Sequence, residues 1–385
     1  MIEDWRQGGF GLYLHWPFCA AKCPYCDFNS HVSNSVDHDA WRDAYLREID
    51  RYAALTPGRV LSSVFFGGGT PSLMPAETVH AILERIRHHW TPANDQEITL
   101  EANPGSVEAT RFAGYAAAGV NRVSMGIQAL NDADLRRLGR IHSVSEARAA
   151  FDIARSQFDR VSFDLIYARQ DQTLADWRAE LTEALSMTID HLSLYQLTIE
   201  PGTAFGARFD AGGLRGLPTD DLAVDMYEVT QELCESAGMP AYEVSNHAAP
   251  GSESRHNMIY WRQGDYIGIG PGAHGRLTLG DTRWATEAYS NPAKWLTASQ
   301  DAKTEKPWTS TPAHDRAGEY LMMGLRLSTG IDMQRYEHLA GSALPQSTID
   351  RLEELGMVHL DGPTLAATPQ GRMVLNAIIT ELLPD

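Results

Sequence analysis

The chain has 385 residues, with 32 Lys and Arg against 50 Asp and Glu, a net charge of −18. That length calls for two domains, or for one large α/β barrel with an appendage, and it buries a core without disulfide staples. Ordinary globular hydrophobicity excludes a disordered chain, and the acidic balance argues against a nucleic-acid partner, which wants a basic footprint.

Short apolar runs alternate with longer helical patterns. Strands are expected at 11–15, 61–66, 97–101, 122–128, 161–167 and 191–197. Helices are expected at 39–55, 75–90, 107–118, in two pieces within 132–156, and at 174–186 and 219–237. Six strand–helix units in this order predict a mostly parallel sheet covered by helices, either doubly wound or a barrel. The informative residues fall just after strand ends, where both architectures bind ligands. Residues 241–245 read as a further strand and 300–314 as a polar linker. From 315 the pattern is three helices, a hairpin and a helix, in winged-helix-like proportions. The organisation expected is a core over 1–240, an extension over 241–300 and a small C-terminal domain over 301–385.

Four cysteines, Cys19, Cys23, Cys26 and Cys234, do not make a disulfide scaffold. The N-terminus lacks the basic start and apolar run of a signal peptide, and no apolar stretch is long enough to span a membrane. The expectation is a soluble protein of a reducing cytoplasm.

Cys19, Cys23 and Cys26 stand as C-x3-C-x2-C in HWPFCAAKCPYCDFNS, on a loop leaving the first strand. Three thiolates so close can wrap one compact metal centre. Zinc wants four closed ligands, for which His15 or His31 could be the fourth. Cys234, on a helical pattern far along the chain, reads as a small core residue. A four-iron cubane on three cysteines keeps one iron open to another ligand. Gly67-Gly68-Gly69-Thr70-Pro71 follows an apolar strand, where glycines let backbone approach a ligand closely, with amides and carbonyls free for hydrogen bonds. Glu101 (EANPG), Gln128 (SMGIQ), Arg140 (LGRIH) and Asp164 (SFDLIY) lie in or after successive strands.

With the aromatic Tyr25 before its last cysteine, the triad resembles the radical S-adenosylmethionine (SAM) superfamily, a partial (β/α)6 TIM-like barrel. The resemblance implies a [4Fe–4S] cluster whose open iron takes the amino and carboxylate groups of SAM. It also implies an electron from the cluster that cleaves SAM to a 5′-deoxyadenosyl radical. Within the superfamily the motifs resemble the oxygen-independent coproporphyrinogen oxidase branch over the whole chain. Carried over by motif, Tyr13, Gly68, Gly69, Thr70, Glu101, Gln128, Arg140 and Asp164 form the SAM shell, with Tyr25, Thr198 and His274 as further contacts. Ala168-Arg169-Gln170-Asp171 departs from the branch, which often has a Gly-Leu-Pro-Gly turn there.

The oxidase carries a further cysteine two positions after the third, where this chain has Phe28, and a long N-terminal extension, where this chain has only 18 residues before Cys19. Both departures resemble the HemW heme chaperones, whose HNxxYW motif matches HNMIYW here. That resemblance implies heme binding. His256 would serve as an axial ligand, Tyr260 and Trp261 would offer flat apolar faces, and His274 is the next candidate for the iron. It implies as partners heme, apo-hemoprotein acceptors such as respiratory enzymes, a heme or electron donor protein and a homodimer, in the cytoplasm or peripheral at the inner membrane. Oxidative decarboxylation of coproporphyrinogen III stands as the alternative activity, and no catalytic side chain is assigned.

Overall fold

Period-two alternation inside successive strands sets the architecture. In 122–128, 160–167 and 191–196 the apolar residues Val123, Met125, Phe163, Leu165, Leu192 and Leu194 are buried against helices. The polar residues between them face the other way, and register aligns them across strands, Ser124 with Ser162 and Asp164 with Ser193. The result is a sheet with an apolar outer face and a polar inner one.

The protein is described by a computed structural model over residues 3–33, 35–105 and 109–383. Its main sheet contains β1 (Phe10–Trp16), β2 (Val60–Gly68), β3 (Thr91–Ala102), β4 (Arg122–Gln128), β5 (Arg160–Tyr167) and β6 (His191–Gln196). It continues with β7 (Asn246–Ala248), β8 (Asp265–Ile269), β9 (His274–Leu279), β10 (Thr282–Glu287) and β11 (Thr309–Ser310). The order is β11-β10-β9-β8-β1-β2-β3-β4-β5-β6-β7, parallel from β8 to β6 and antiparallel at both ends. Helices cover the outer face between the parallel strands, giving the partial barrel expected.

Local sequence sets the helix ends. Ser143 and Glu146 form a capping box on Val144–Gln157, and Thr173 with Asp176 forms another on Leu174–Met187. Gly119, in the left-handed region, closes Phe112–Ala118. The expected first positions of that helix, 107 and 108, lie outside the described residues.

Two stretches differ from expectation. No strand forms at 241–245. Tyr242 N–H bonds Asn246 O, and the Glu243 carboxylate accepts from Ser245 N–H, so the chain turns sharply, Ala241 bridges back to His247, and the strand runs only from Asn246. Nor is 300–314 a free linker. Thr309–Ser310 adds to the sheet edge, while Arg51, Tyr52 and Trp308 all donate to Glu305.

A second apolar core, from Ala317 to Leu382, is separate from the barrel core. It is built of helices Ala313–Gly324, Met333–Ala340, Gln346–Glu354 and Leu375–Leu382 around a three-stranded sheet of Ile331–Asp332, Val358–Asp361 and Thr364–Ala367. This is the winged-helix-like unit foreseen. No helix among the described residues is long and apolar enough to cross a membrane.

Arg335 of this unit makes a bidentate pair with Asp4 at 2.8 and 2.9 Å, donates to Arg262 O at 2.9 Å and lies over Tyr320. Both charged groups are largely buried, so removing one leaves the other without a partner. Arg335→Ala is expected to cost about 3 kcal/mol, read as a lower denaturation midpoint. Asp4→Ala should cost a similar amount, and the double variant less than the sum of the two.

Candidate cofactor site

The loop after β1 carries Cys19, Cys23 and Cys26. A two-residue ladder, Phe18–Cys19 with His31–Val32, closes the loop, and Asn29 pins it through bonds of 2.9 Å to Pro271 O and Ser290 O. The Gly-rich turn at the end of β2 packs directly on this loop. Gly69 N–H bonds Trp16 O at 2.6 Å and Thr70 N–H bonds Phe18 O at 2.9 Å. A Cβ on Gly69 would meet Phe18 O at 2.7 Å, so only glycine allows this approach. Gly68, at φ +110°, gives its N–H to Glu101 Oε2 at 3.2 Å. The expected free amides of this turn are therefore already committed to protein groups. Its glycines fit the turn against the cysteine loop, and Gly68 and Gly69 also line the cavity beside it.

The three cysteines border a cavity of about 440 Å³ together with Gly68, Gly69 and Thr70. Tyr25, Glu101, Gln128, Arg140, Asp164 and Thr198 line the same space. Nine of the sequence-derived SAM residues are thus gathered, with the cysteines, from loop and strand ends far apart in the chain. Gln128 reaches the cavity because a bulge interrupts β4 after Met125 and leaves Gln128 at φ +75°, which re-aims its side chain. Arg140 donates to Asn103 Oδ1, Gly126 O and Cys23 Sγ.

Tyr13 and His274 do not line this cavity. With His256, Tyr260, Phe65 and Tyr266 they border a second one of about 420 Å³. Phe28, Gly68 and Glu101 border both. His256 is buried, its ring 4.2 Å from Phe65 and 4.4 Å from Tyr260. Trp261 does not join them. Its ring lies under Arg326, which approaches to 4.9 Å, on the side of the C-terminal unit. Seven residues of helix (Arg255–Trp261) place positions 256 and 260 on one face and 261 about 100° away.

Burial pushes Glu101 up to about 8, with the Asp164 charge adding and the Gly68 N–H opposing. Burial likewise lifts Asp164 to about 6, against a hydrogen bond from Ser193 and the charge of Arg122. His256 is pushed down to about 3 by burial and then by Arg122, which leaves a neutral imidazole. Burial raises the Cys19 and Cys26 thiols, so a metal centre must draw off their protons.

The donor set fits an iron–sulfur centre better than zinc. Both ring nitrogens of His15 are engaged, by Tyr13 Oη at 3.0 Å and Asn29 O at 2.9 Å. His31 Nε2 likewise lies 3.1 Å from Asn29 Oδ1. The thiols instead edge an open cavity. Asn103, Tyr195 and Phe65 also belong to these walls and were missed. Asn103 had a signal, standing two residues after Glu101 in EANPG, whereas the other two are ordinary strand aromatics.

A parallel partial barrel with a cysteine triad after its first strand is the architecture of a radical SAM protein, and the radical SAM superfamily model matches residues 13–183. A HemN C-terminal domain matches 311–374. The heme chaperone HemW of Escherichia coli strain K12 is 38% identical over 380 residues, covering 97% of this chain and 98% of that protein. Mitochondrial radical S-adenosyl methionine domain-containing protein 1 of Mus musculus is 39% identical over 390 residues, covering 97% and 87%. The coproporphyrinogen III oxidase HemN of Escherichia coli shares the fold, with a TM-score of 0.82 at 22% identity over 97% of this chain and 90% of that one. The chain belongs to the HemW family of radical SAM proteins.

A carboxyl group raised on folding carries a stability signature. Between its ordinary 4.5 and about 8, folded Glu101 keeps a proton that the unfolded chain has released. Stability therefore falls as pH rises through that window. Glu101→Gln has no such proton. Its stability relative to wild type, from denaturation at pH 5, 6.5 and 8, is expected to improve with pH. A constant difference would show that Glu101 is ionised in the folded protein throughout.

Proposed function

We propose that this protein binds SAM on a [4Fe–4S] cluster held by Cys19, Cys23 and Cys26, takes up heme in the adjoining cavity, and delivers it to apo-hemoproteins. The observation that carries the heme reading is His256. It is a neutral imidazole among aromatic faces, with no hydrogen bond among the described residues, in a cavity that shares a wall with the cysteine site. A relative 38% identical over nearly the whole chain is named a heme chaperone, which supports the same reading.

When bound, the cluster supplies an electron to SAM. The chain's own groups do the rest. Glu101 and Asp164 face the cavity as two carboxyl groups held partly protonated, so a cationic ligand draws them into the ionised form and releases a proton. Gly68 N–H stays on Glu101 Oε2 and fixes that carboxyl against the turn. His256 offers a ring nitrogen that needs no deprotonation near neutral pH. Tyr13, Phe65 and Tyr260 supply the flat apolar surface a porphyrin requires. Trp261, turned toward Arg326, braces the helix rather than touching the ligand. His274, at the exposed rim, is the second candidate for the iron. Apo-hemoproteins such as respiratory enzymes as acceptors, an electron or heme donor protein, a homodimer and a cytoplasmic setting that reaches the inner membrane complete the reading.

The other reading, decarboxylation of coproporphyrinogen III, has less support. The position where the resemblance places the oxidase's further cysteine is Phe28, 58% exposed where the two cavities meet.

In anaerobic protein, Cys19→Ser, Cys23→Ser and Cys26→Ser should each abolish the brown absorption. Cys234→Ser should keep it, since that thiol is buried on Asp220–Ser236. Loss of colour in the Cys234 variant would overturn the three-ligand assignment. Heme titration followed by absorbance should show binding weakened at least tenfold by His256→Ala. Cluster-loaded protein with SAM and reductant should give no protoporphyrinogen from coproporphyrinogen III. Turnover in that assay would establish the oxidase instead.

A further inference from the structure

A continuous hydrogen-bonded arc joins two of the three thiols. Arg140 Nη1 donates to Cys23 Sγ at 3.4 Å, and Nη2 donates to Asn103 Oδ1 at 2.6 Å and Gly126 O at 2.7 Å. Asn103 Nδ2 donates to Thr70 Oγ1 at 3.2 Å, and Thr70 Oγ1 reaches Cys19 Sγ at 3.5 Å. Cys26 stands outside the arc, 3.9 Å from Ser30 Oγ.

The direction of every bond in the arc is fixed by chemistry. A guanidinium can only donate, so the Asn103 face toward Arg140 is its carbonyl oxygen, and the face toward Thr70 is its amide nitrogen. The Thr70 hydroxyl accepts that donation, which leaves its single hydrogen free to point at Cys19. Both ends of the arc are therefore donors aimed at sulfur, and the one side chain that touches both donors is Asn103. Thr70 is 4% exposed, so water competes little for these bonds.

We propose that Asn103 is a positioning residue that holds Thr70 and Arg140 as donors on the sulfurs of Cys19 and Cys23, and so raises the reduction potential of the cluster those thiols carry. The inference rests on the proposed cluster assignment. Its physical basis is that a donor on a thiolate stabilises negative charge, and the reduced cluster carries one more such charge than the oxidised one. Loosening either donor leaves the cluster harder to reduce.

The test is a redox titration, followed by electron paramagnetic resonance, of anaerobically reconstituted protein without SAM. Asn103→Ala should take up as much iron and sulfide as wild type and show a midpoint shifted to more negative potential. Thr70→Val, which removes the donor to Cys19 and the acceptor of Asn103 Nδ2 but leaves Arg140 on Asn103 Oδ1, should shift the same way by less. Adding Asn103→Ala to Thr70→Val should shift less than Asn103→Ala does alone, because half of its route is already gone. If Asn103→Ala assembles no cluster, Asn103→Ser serves, being polar but too short to bridge both partners. A wild-type midpoint in a cluster-loaded Asn103 variant, or full additivity with Thr70→Val, overturns the proposal. A wild-type protein that assembles no cluster, or a Cys23→Ser variant that keeps one, overturns the cluster assignment itself.

Discussion

Arg122 sits 2% exposed at the start of β4, inside the barrel, with Nη1 on Thr99 Oγ1 at 3.4 Å and Nη2 on Ser162 Oγ at 2.8 Å. A buried cation must be compensated, and this one is compensated by the groups around it. Its field lowers Glu101 and Asp164 against the burial that raises them, and it adds to the burial that keeps His256 and His191 neutral. Burial thus sets the direction of each shift, and the guanidinium opposes it at the two carboxyls and adds to it at the imidazole. Thr99 and Ser162 accept from two of its nitrogens, Ser162 in turn donates to Ser124, and the Glu97 carboxylate lies 3.9 Å from its Nε.

The helix Arg255–Trp261 connects this interior to the rest of the chain. At its N-terminal end Arg255 N–H bonds Glu97 Oε1 at 3.1 Å, and Arg160 holds the other oxygen of Glu97 at 2.7 Å. In the middle, Asn257 donates to Tyr242 Oη, which also meets His191. At the far end Trp261, Arg262 and Gln263 meet Arg326, Arg335 and Arg316 of the C-terminal unit. A ligand pressing on His256 therefore pushes on an element whose two ends are anchored in different cores.

The strand–helix order could be read from sequence because alternation and caps are local, as Ser143 with Glu146 and Thr173 with Asp176 show. The convergence of Cys19, Glu101, Gln128 and Asp164 followed from a single rule, that parallel strands present their C-terminal ends together. What escaped depends on direction or on distant contacts. Trp261 lies beside Tyr260 in sequence, but a helix turns it onto another face. The strand expected at 241–245 had the right residues, yet the Glu243 side chain closes a turn there. The polar stretch at 300–314 looked unstructured because its partners, Arg51 and Tyr52, lie some 250 residues earlier. Gly69 has a second constraint that the sequence does not show, the backbone of Phe18 beside it.

The pairing of β1 with both β2 and β8 bears on how the chain is made. β1 leaves the ribosome before either neighbour, and its register runs from Phe10 opposite Asp265 to Leu14 opposite Ile269. At about 5–20 residues per second, roughly ten to fifty seconds pass before that second neighbour is synthesised. For that interval the nascent barrel has an open parallel edge, and the loop bearing three thiols hangs from it without the Pro271 and Ser290 carbonyls that later hold Asn29. An unpaired edge invites wrong pairing, and exposed thiols invite oxidation. A cell making this protein is thus under pressure to shield β1 and its cysteine loop until β8 has been translated.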